Sequence, residues 1–299
     1  MNVAIEIREL AKRYGDNDAL GGVSLEVEEG ETFGYLGPNG AGKTTTIRCM
    51  LGLISPTSGA IRLLGRDVAT DLQGALTDVG YLPGEFNLWP QTTGRECLEY
   101  LGSLHPRPPA ERAELLDRFE LSASDLDRHV RLYSRGMKQK VGIIQAFQHA
   151  PRLVVLDEPT EGLDPLMKER FVELLARHRA GGGTTFLSSH ILSEVEEATT
   201  RVAVIRAGRL VKVGATADLT GERIRECTLV LKEPLADPSV LSVPGVEDLE
   251  ERDGAYRFRF RGDMEALMRV LGRLAVQEFL CEPEHLSETF FEVYREGGK

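Results

Sequence analysis

The chain has 299 residues, 41% of them hydrophobic, and a formal net charge of −11. That much apolar surface builds the core of one large domain or two modest ones and excludes a disordered chain. The acidic balance argues against a protein whose main task is gripping nucleic-acid backbone, which calls for the opposite charge.

From the N-terminus, MNVAIEIREL is charged too early and too often for a secretory signal. No apolar run approaches the ~20 residues that cross a bilayer, so any membrane path is expected from another polypeptide. Residues 3–7 and 23–27 alternate apolar and polar, as short half-buried strands do. A strand from about Thr32 to Leu36 breaks into GPNGAGKTTT, and the helix IRCMLGLI follows, ending at the turn cluster SPTSG. A hairpin-like stretch then leads to VGYLP at 79–83.

From about Gly84 to Ala150 the chain is charged, helix-rich and broken by Pro106, Pro108 and Pro109, which predicts an inserted helical subdomain. A buried strand returns at LVVLD. Helix 165–180, strand TTFLS, helix 191–198 and strands VAVI and LVKVG follow. Alternating strands and helices predict an α/β core with mainly parallel strands. Beyond about Gly221 the strands TLVLK, VEDLE and YRFRF, with helices near 263–274 and 284–295, predict a small α+β unit in βαββαβ order. Arg257, Arg259 and Arg261 share one strand face, either as a solvated face or as a docking surface. Cys49, Cys97, Cys227 and Cys281 form no C-x-x-C pair and have no histidine cluster nearby. They read as buried or half-buried thiols in a reducing compartment, with a zinc site as the alternative.

Two motifs carry chemistry. Gly37, Pro38, Asn39, Gly40, Ala41, Gly42, Lys43 and Thr44 complete a phosphate-binding loop, with Thr45 next to it. Its glycines let several N–H groups point at one phosphate, and the following helix adds its positive end. Lys43 can reach the β/γ oxygens of ATP, and the Thr44 hydroxyl can hold Mg²⁺. In LVVLD-Glu, Asp157 and Glu158 sit at the carboxyl edge of a buried strand, where open α/β sheets bind ligands. Alone, the pair reads equally as a strand ending in solvent. After a complete phosphate loop it reads as a Mg²⁺ carboxylate, Asp157, and a base for the attacking water, Glu158. Ser134, in YSRGM, is either an ordinary helix N-cap or the start of an anion site.

On these motifs, in this order, the chain resembles the ABC ATPase family over residues 4–218. The resemblance implies a P-loop NTPase core with an inserted helical subdomain and ATP with Mg²⁺ as cofactors. YSRGM then stands for the family's signature loop, with Arg135 in place of a glycine and Met137 in place of a glutamine. Ser134 and Gly136 would cap the γ-phosphate held by the opposite subunit. Asp164, in Gly162-Leu163-Asp164, would belong to the loop that crosses between subunits. His190 would be the switch histidine at the γ-phosphate, and Tyr14 the aromatic that stacks on adenine. Most members carry a metal-touching glutamine after the strand that ends here as VGYLP. Here Gly84 holds that position, and the neighbouring Glu85 is a candidate ligand to Mg²⁺.

The expected division is an ATPase domain over 1–220, with the helical subdomain at about 84–150, and an accessory α+β domain over 221–299. PEHLSETFFEVYRE resembles the drug- and antibiotic-export branch. The reading is a transport ATPase on the cytoplasmic face of a membrane. It would work with integral membrane permease subunits and a second ATPase subunit, identical or paralogous, and without nucleic acid. The rivals are a non-transport ABC ATPase of translation control or DNA maintenance, and a nucleotide-gated regulatory module. Glu158 disfavours the second.

Overall fold

Three apolar runs form the centre of the computed structural model, which describes residues 2–216 and 225–283 except 234, 236 and 253. They are β3 (Thr32–Leu36), β7 (Leu153–Asp157) and β8 (Thr184–Ser189), and every residue of all three is buried. Strands covered on both faces lose the polar alternation of half-buried ones. With β6 (Val79–Leu82), β9 (Arg201–Arg206) and β10 (Arg209–Ala215) they make a six-stranded sheet in the order β10-β9-β3-β8-β7-β6. All pairings are parallel except β9 with β10. β7 and β3 flank β8, so the chain ends leaving these three strands lie side by side at one edge of the sheet.

A second sheet, antiparallel, has the order β2-β1-β4-β5, from β1 (Val3–Tyr14), β2 (Asn17–Glu28), β4 (Ser58–Leu63) and β5 (Arg66–Asp67). Its apolar side and that of the parallel sheet share one core, in which Ile5, Val23, Phe33, Ile47, Val155 and Phe186 are all fully buried. The expected short strands at 3–7 and 23–27 are in fact a long hairpin. Register shifts after Ile7, and Glu9 takes a φ of +46°. This bulge inserts a residue, so Leu10 rather than Glu9 turns inward and the simple alternation is lost.

Between β4 and β6 a short helix α2 (Leu72–Leu76) appears that the sequence pattern did not announce. Asp71 starts it, its carboxylate accepting from Gly74 N at 3.0 Å. α1 (Lys43–Met50) follows β3 directly. Helices α3 (Gly94–Ser103), α4 (Arg112–Arg118), α5 (Ala123–Leu126) and α6 (Arg135–Phe147) fill the stretch between β6 and β7. Helix begins there only at Gly94, after a capping box between Thr93 and Glu96. α7 (Pro165–Ala180) precedes β8, and α8 (Leu192–Ala198) follows it.

The chain divides into two compact units, Met1–Thr216 and Ala217–Lys299. The second holds a four-stranded antiparallel sheet, β12-β13-β11-β14, from β11 (Arg225–Leu231), β12 (Val246–Arg252), β13 (Ala255–Phe260) and β14 (Val276–Pro283), with helix α9 (Met264–Leu271). The first helix of the expected βαββαβ order is only a 3₁₀ turn, Pro238–Leu241. Pro234, Pro238 and Pro244 leave no room there for an α-helix. The helix expected at 284–295 lies outside the described residues. Of the three arginines expected on one strand face, Arg257 is exposed and Arg259 is ion-paired with Asp248 at 2.5 Å, while Arg261 follows the end of β13. The four cysteines carry free thiols, and Cys227 faces Cys281 across β11 and β14 with 3.0 Å between their Sγ atoms.

Candidate active site

The chain leaves β3 at Leu36 and wraps a loop before α1 begins at Lys43. Gly42 closes the loop at a φ of +109°, where an added Cβ would sit 2.8 Å from Leu20 Cδ2 and 3.0 Å from the Ala19 carbonyl. Only glycine fits both that backbone and that space. Lys43 is 5% exposed and folds back over the loop, its Nζ donating to the Gly37 carbonyl at 2.6 Å and to that of Pro38 at 3.3 Å. Residues Pro38 to Thr45, so Asn39, Gly40, Ala41 and Thr44 among them, line a cleft of about 510 Å³. Tyr14, half exposed, stands in its wall with Lys12 Nζ 5.0 Å from the ring centroid. Gly37 anchors the loop from behind, its N–H donating to the Ser189 carbonyl at 3.2 Å.

The acids arrive from β7. Asp157 is 1% exposed, a carboxylate that must be matched where it lies. Oδ2 accepts from Thr44 Oγ at 2.8 Å and Oδ1 from Ser188 Oγ at 2.5 Å. The same negative charge adds to burial in pushing the Tyr81 hydroxyl on β6 up to about 12. Glu158, also in the cleft wall, takes a φ of +50°, uncommon for a residue with a Cβ. Its N–H donates to the Ser188 carbonyl at 3.2 Å, which holds that backbone. Its carboxylate lies between two nitrogens: Oε1 is 3.2 Å from Lys43 Nζ, and Oε2 is 2.9 Å from His190 Nδ1. The phosphate loop, the acid pair and the histidine therefore converge on one place.

The donors beside Asp157 suit a small hard cation. A carboxylate and a hydroxyl touch each other, and Mg²⁺ typically takes one or two protein oxygens and completes its shell with phosphate and water. Among the described residues no group of three or more His, Cys, Asp or Glu could hold a metal. Glu85 is exposed, in the bend after β6, and makes no hydrogen bond or ion pair with Thr44 or Asp157. A Cβ on Gly84, by contrast, would come 3.4 Å from Asp157 Oδ2.

Ser134, Gly136 and Asp164 do not line this cleft. Ser134 is exposed and caps α6, accepting from Met137 N at 3.1 Å, and Asp164 is exposed and caps α7, accepting from Met167 N at 3.0 Å. The two helix starts touch each other. Arg135 is ion-paired with Glu161, and a Cβ on Gly136 would lie 2.8 Å from the Gly162 carbonyl. Sequence reasoning missed three polar groups. Ser188 supports Asp157 and Glu158, Gln139 Nε2 donates to the Pro159 carbonyl at 2.7 Å, and Glu194 joins the loop after β7 to the end of β8. The one signal for Ser188 was a serine closing the strand TTFLS; the structure buries that strand throughout, and a buried hydroxyl needs a partner.

The sequence matches the family described as ABC transporter over residues 20–161. An uncharacterised ABC transporter ATP-binding protein of Nostoc sp. is 43% identical over 210 residues, 69% of this chain and 62% of the relative. The Nod factor export ATP-binding protein I of Cupriavidus metallidurans is 34% identical over 301 residues, covering 98% of both chains. The daunorubicin resistance ATP-binding protein DrrA3 of Streptomyces coeruleorubidus is 33% identical, covering 93% of this chain and 94% of its own. A solved ATP-binding subunit of an ABC transporter superposes with a TM-score of 0.67 at 32% identity, over 73% of this chain and 92% of that one. An ATP-binding cassette solved as a dimer with ADP and phosphate has a TM-score of 0.65 at 24% identity, over 71% and 98%, and so shares the fold.

Proposed function

Because this chain belongs to the ABC transporter family and is an ATP-binding, ATP-hydrolysing subunit within it, we propose that it powers export through separate membrane subunits. Support for export comes from relatives matched along almost their whole length, named for Nod factor export and daunorubicin resistance. No helix among the described residues is long and apolar enough to cross a membrane. The proposal therefore assigns the path to integral permease subunits and this chain to their cytoplasmic face.

ATP lies in the cleft with adenine on Tyr14 and its phosphates on the N–H groups of the loop and Lys43. Thr44 and Asp157 would hold Mg²⁺, which when bound would neutralise charge on the phosphates. Glu158 Oε1 accepts a proton from water as that water's oxygen attacks the γ-phosphorus and ADP departs. His190 keeps the carboxylate aimed from the other side. Ser134, Gly136 and Asp164 act on the nucleotide of a second subunit, so closure of two ATPase subunits completes two sites. The carrying observation is the split itself: Lys43 and Glu158 line the cleft, with His190 bonded to Glu158, while Ser134, Gly136 and Asp164 neither line it nor bond to those that do.

The test uses Glu158→Gln, which keeps the shape and removes the basicity. ATP is expected to bind this variant and to shift it from monomer toward dimer in sedimentation, with no turnover. A dimer equally stable without nucleotide, or normal turnover in the variant, would contradict the reading.

A further inference from the structure

Glu194 lies on α8, one turn past His190, and the hydrolytic steps above do not use it. Its side chain is 14% exposed, and its carboxylate gathers donors from three separate segments. Oε2 accepts from Thr160 Oγ at 2.6 Å and from Ser189 Oγ at 3.2 Å, and Oε1 meets Lys168 Nζ at 2.7 Å. Thr160 belongs to the loop between β7 and α7, Lys168 to α7, and Ser189 to the last position of β8. Lys168 is 38% exposed, so solvent screens its charge. Thr160 and Ser189 are buried, and their hydroxyl bonds fix position more strongly.

Each hydroxyl leads somewhere. Ser189 Oγ also accepts from Ile191 N at 3.0 Å, so it braces the backbone on both sides of His190. Thr160 stands two residues after Glu158. Its loop continues through Glu161 and Gly162, which touch Arg135 and Gly136, to Asp164. One carboxylate thus joins the turn that carries His190 to the loop that packs on the Ser134 helix start.

We propose that Glu194 is a positioning residue for ATP hydrolysis, locking the His190 turn to the Thr160–Asp164 loop so that contact at the Ser134 face is felt at the His190–Glu158 hydrogen bond. The inference rests on the roles given above to Glu158 and His190. A link of this kind is established by energetic coupling and not by adjacency.

The experiment is a double-mutant cycle on the full chain, reading kcat, KM, ATP affinity and melting temperature for Glu194→Ala, His190→Ala and the pair. Loss of charge-assisted hydrogen bonds predicts that Glu194→Ala lowers kcat about 10- to 100-fold, with KM changed by less than about twofold. Glu194→Gln, whose amide oxygen still accepts from Thr160 and Ser189, keeps most of the activity. The double variant is no slower than the slower single by more than about twofold, because both act through one bond. Losses that multiply in the double variant would overturn the link, as would full turnover in Glu194→Ala beside a slowed His190→Ala. Full turnover in His190→Ala would instead remove the role of His190 and this inference with it. If Glu194→Ala does not fold, Ser189→Ala takes its place in the cycle, with the same non-additive outcome expected and the same additive outcome overturning the proposal.

Discussion

The start of α1 and the paired starts of α6 and α7 treat their polar atoms differently. At the start of α1 the loop closes on a buried Lys43; Thr44, Asp157 and Ser188 are bonded through their side chains, as are Lys43, Glu158 and His190, and the Glu158 N–H donating to Ser188 Oγ ties the two sets together. At the starts of α6 and α7 the polar atoms of Ser134 and Asp164 are exposed and serve only their own helices. The first region is internally tied and lines a cleft; the second faces solvent. A buried, cross-bonded constellation can orient a reacting group without reorganising, which is what catalysis needs. Exposed caps gain by meeting something from outside. The contrast supports the proposed division, with chemistry in one region and completion of a second subunit's site by the other.

The largest expected effects fall on the buried region. Glu158→Gln should cut ATP turnover about 100- to 10,000-fold, the range for loss of a positioned base, while ATP affinity holds. Normal turnover in that variant would break the assignment of chemistry to this side. Lys43→Ala should weaken ATP binding about 10- to 100-fold and reduce hydrolysis with it, because a charged donor to phosphate is gone. Equilibrium binding separates the two variants, since only the second should lose affinity.

The exposed region should behave otherwise. Ser134→Ala removes a cap worth about 1 kcal/mol and the proposed contact across subunits. Turnover and ATP-driven dimerisation should each fall about tenfold, with ATP affinity of the monomer unchanged. Mixing sharpens the point. A Ser134→Ala chain paired with a Lys43→Ala chain forms one intact composite site, so the mixture should exceed the mean activity of the two variants alone. A mixture no better than that mean would place Ser134 on its own subunit's nucleotide or on none.

Much of the buried region was legible in the sequence. Glycine spacing announces the phosphate loop, and an unbroken apolar run announces β7 with its acids at the end. What escaped was held together by tertiary contacts. Ser188, Gln139 and Glu194 belong to no motif, and their partners lie far along the chain. Leu10 turned inward because a bulge at Glu9 reversed the parity of β1, and no local pattern encodes that reversal. The exposed region shows the opposite difficulty. Ser134 reads equally as an ordinary cap, Asp164 stands out only through the family resemblance, and in their own chain both are ordinary caps.

A smaller effect is expected from the second unit. Every matched site residue precedes 191 in sequence, so a chain ending near Thr220 should fold and bind ATP with unchanged affinity, its loss falling on assembly or regulation. A folded truncation that no longer binds ATP would mean that the proposed division at about residue 220 is misplaced.

The smallest effect concerns Glu85, which belongs to neither region by contact. An exposed carboxylate interacts through water, and such interactions are worth about 1 kcal/mol at most. If Glu85 swings toward the Mg²⁺ shell during the cycle, Glu85→Ala should lower Mg²⁺-dependent turnover only about two- to fivefold, with metal-free nucleotide binding nearly unchanged. Gly84 supplies the control. An added Cβ there meets Asp157 Oδ2 at 3.4 Å, an ordinary contact, so a longer polar side chain has room to lie along that carboxylate. Gly84→Gln should therefore restore part of what Glu85→Ala loses. The readout is a Mg²⁺ titration of the ATPase rate for both singles and the double. Identical Mg²⁺ dependence in wild type and Glu85→Ala would leave Glu85 as a solvated surface charge. Gly84 would then act as a loose joint between β6 and the helical stretch, and only the buried region would carry metal chemistry.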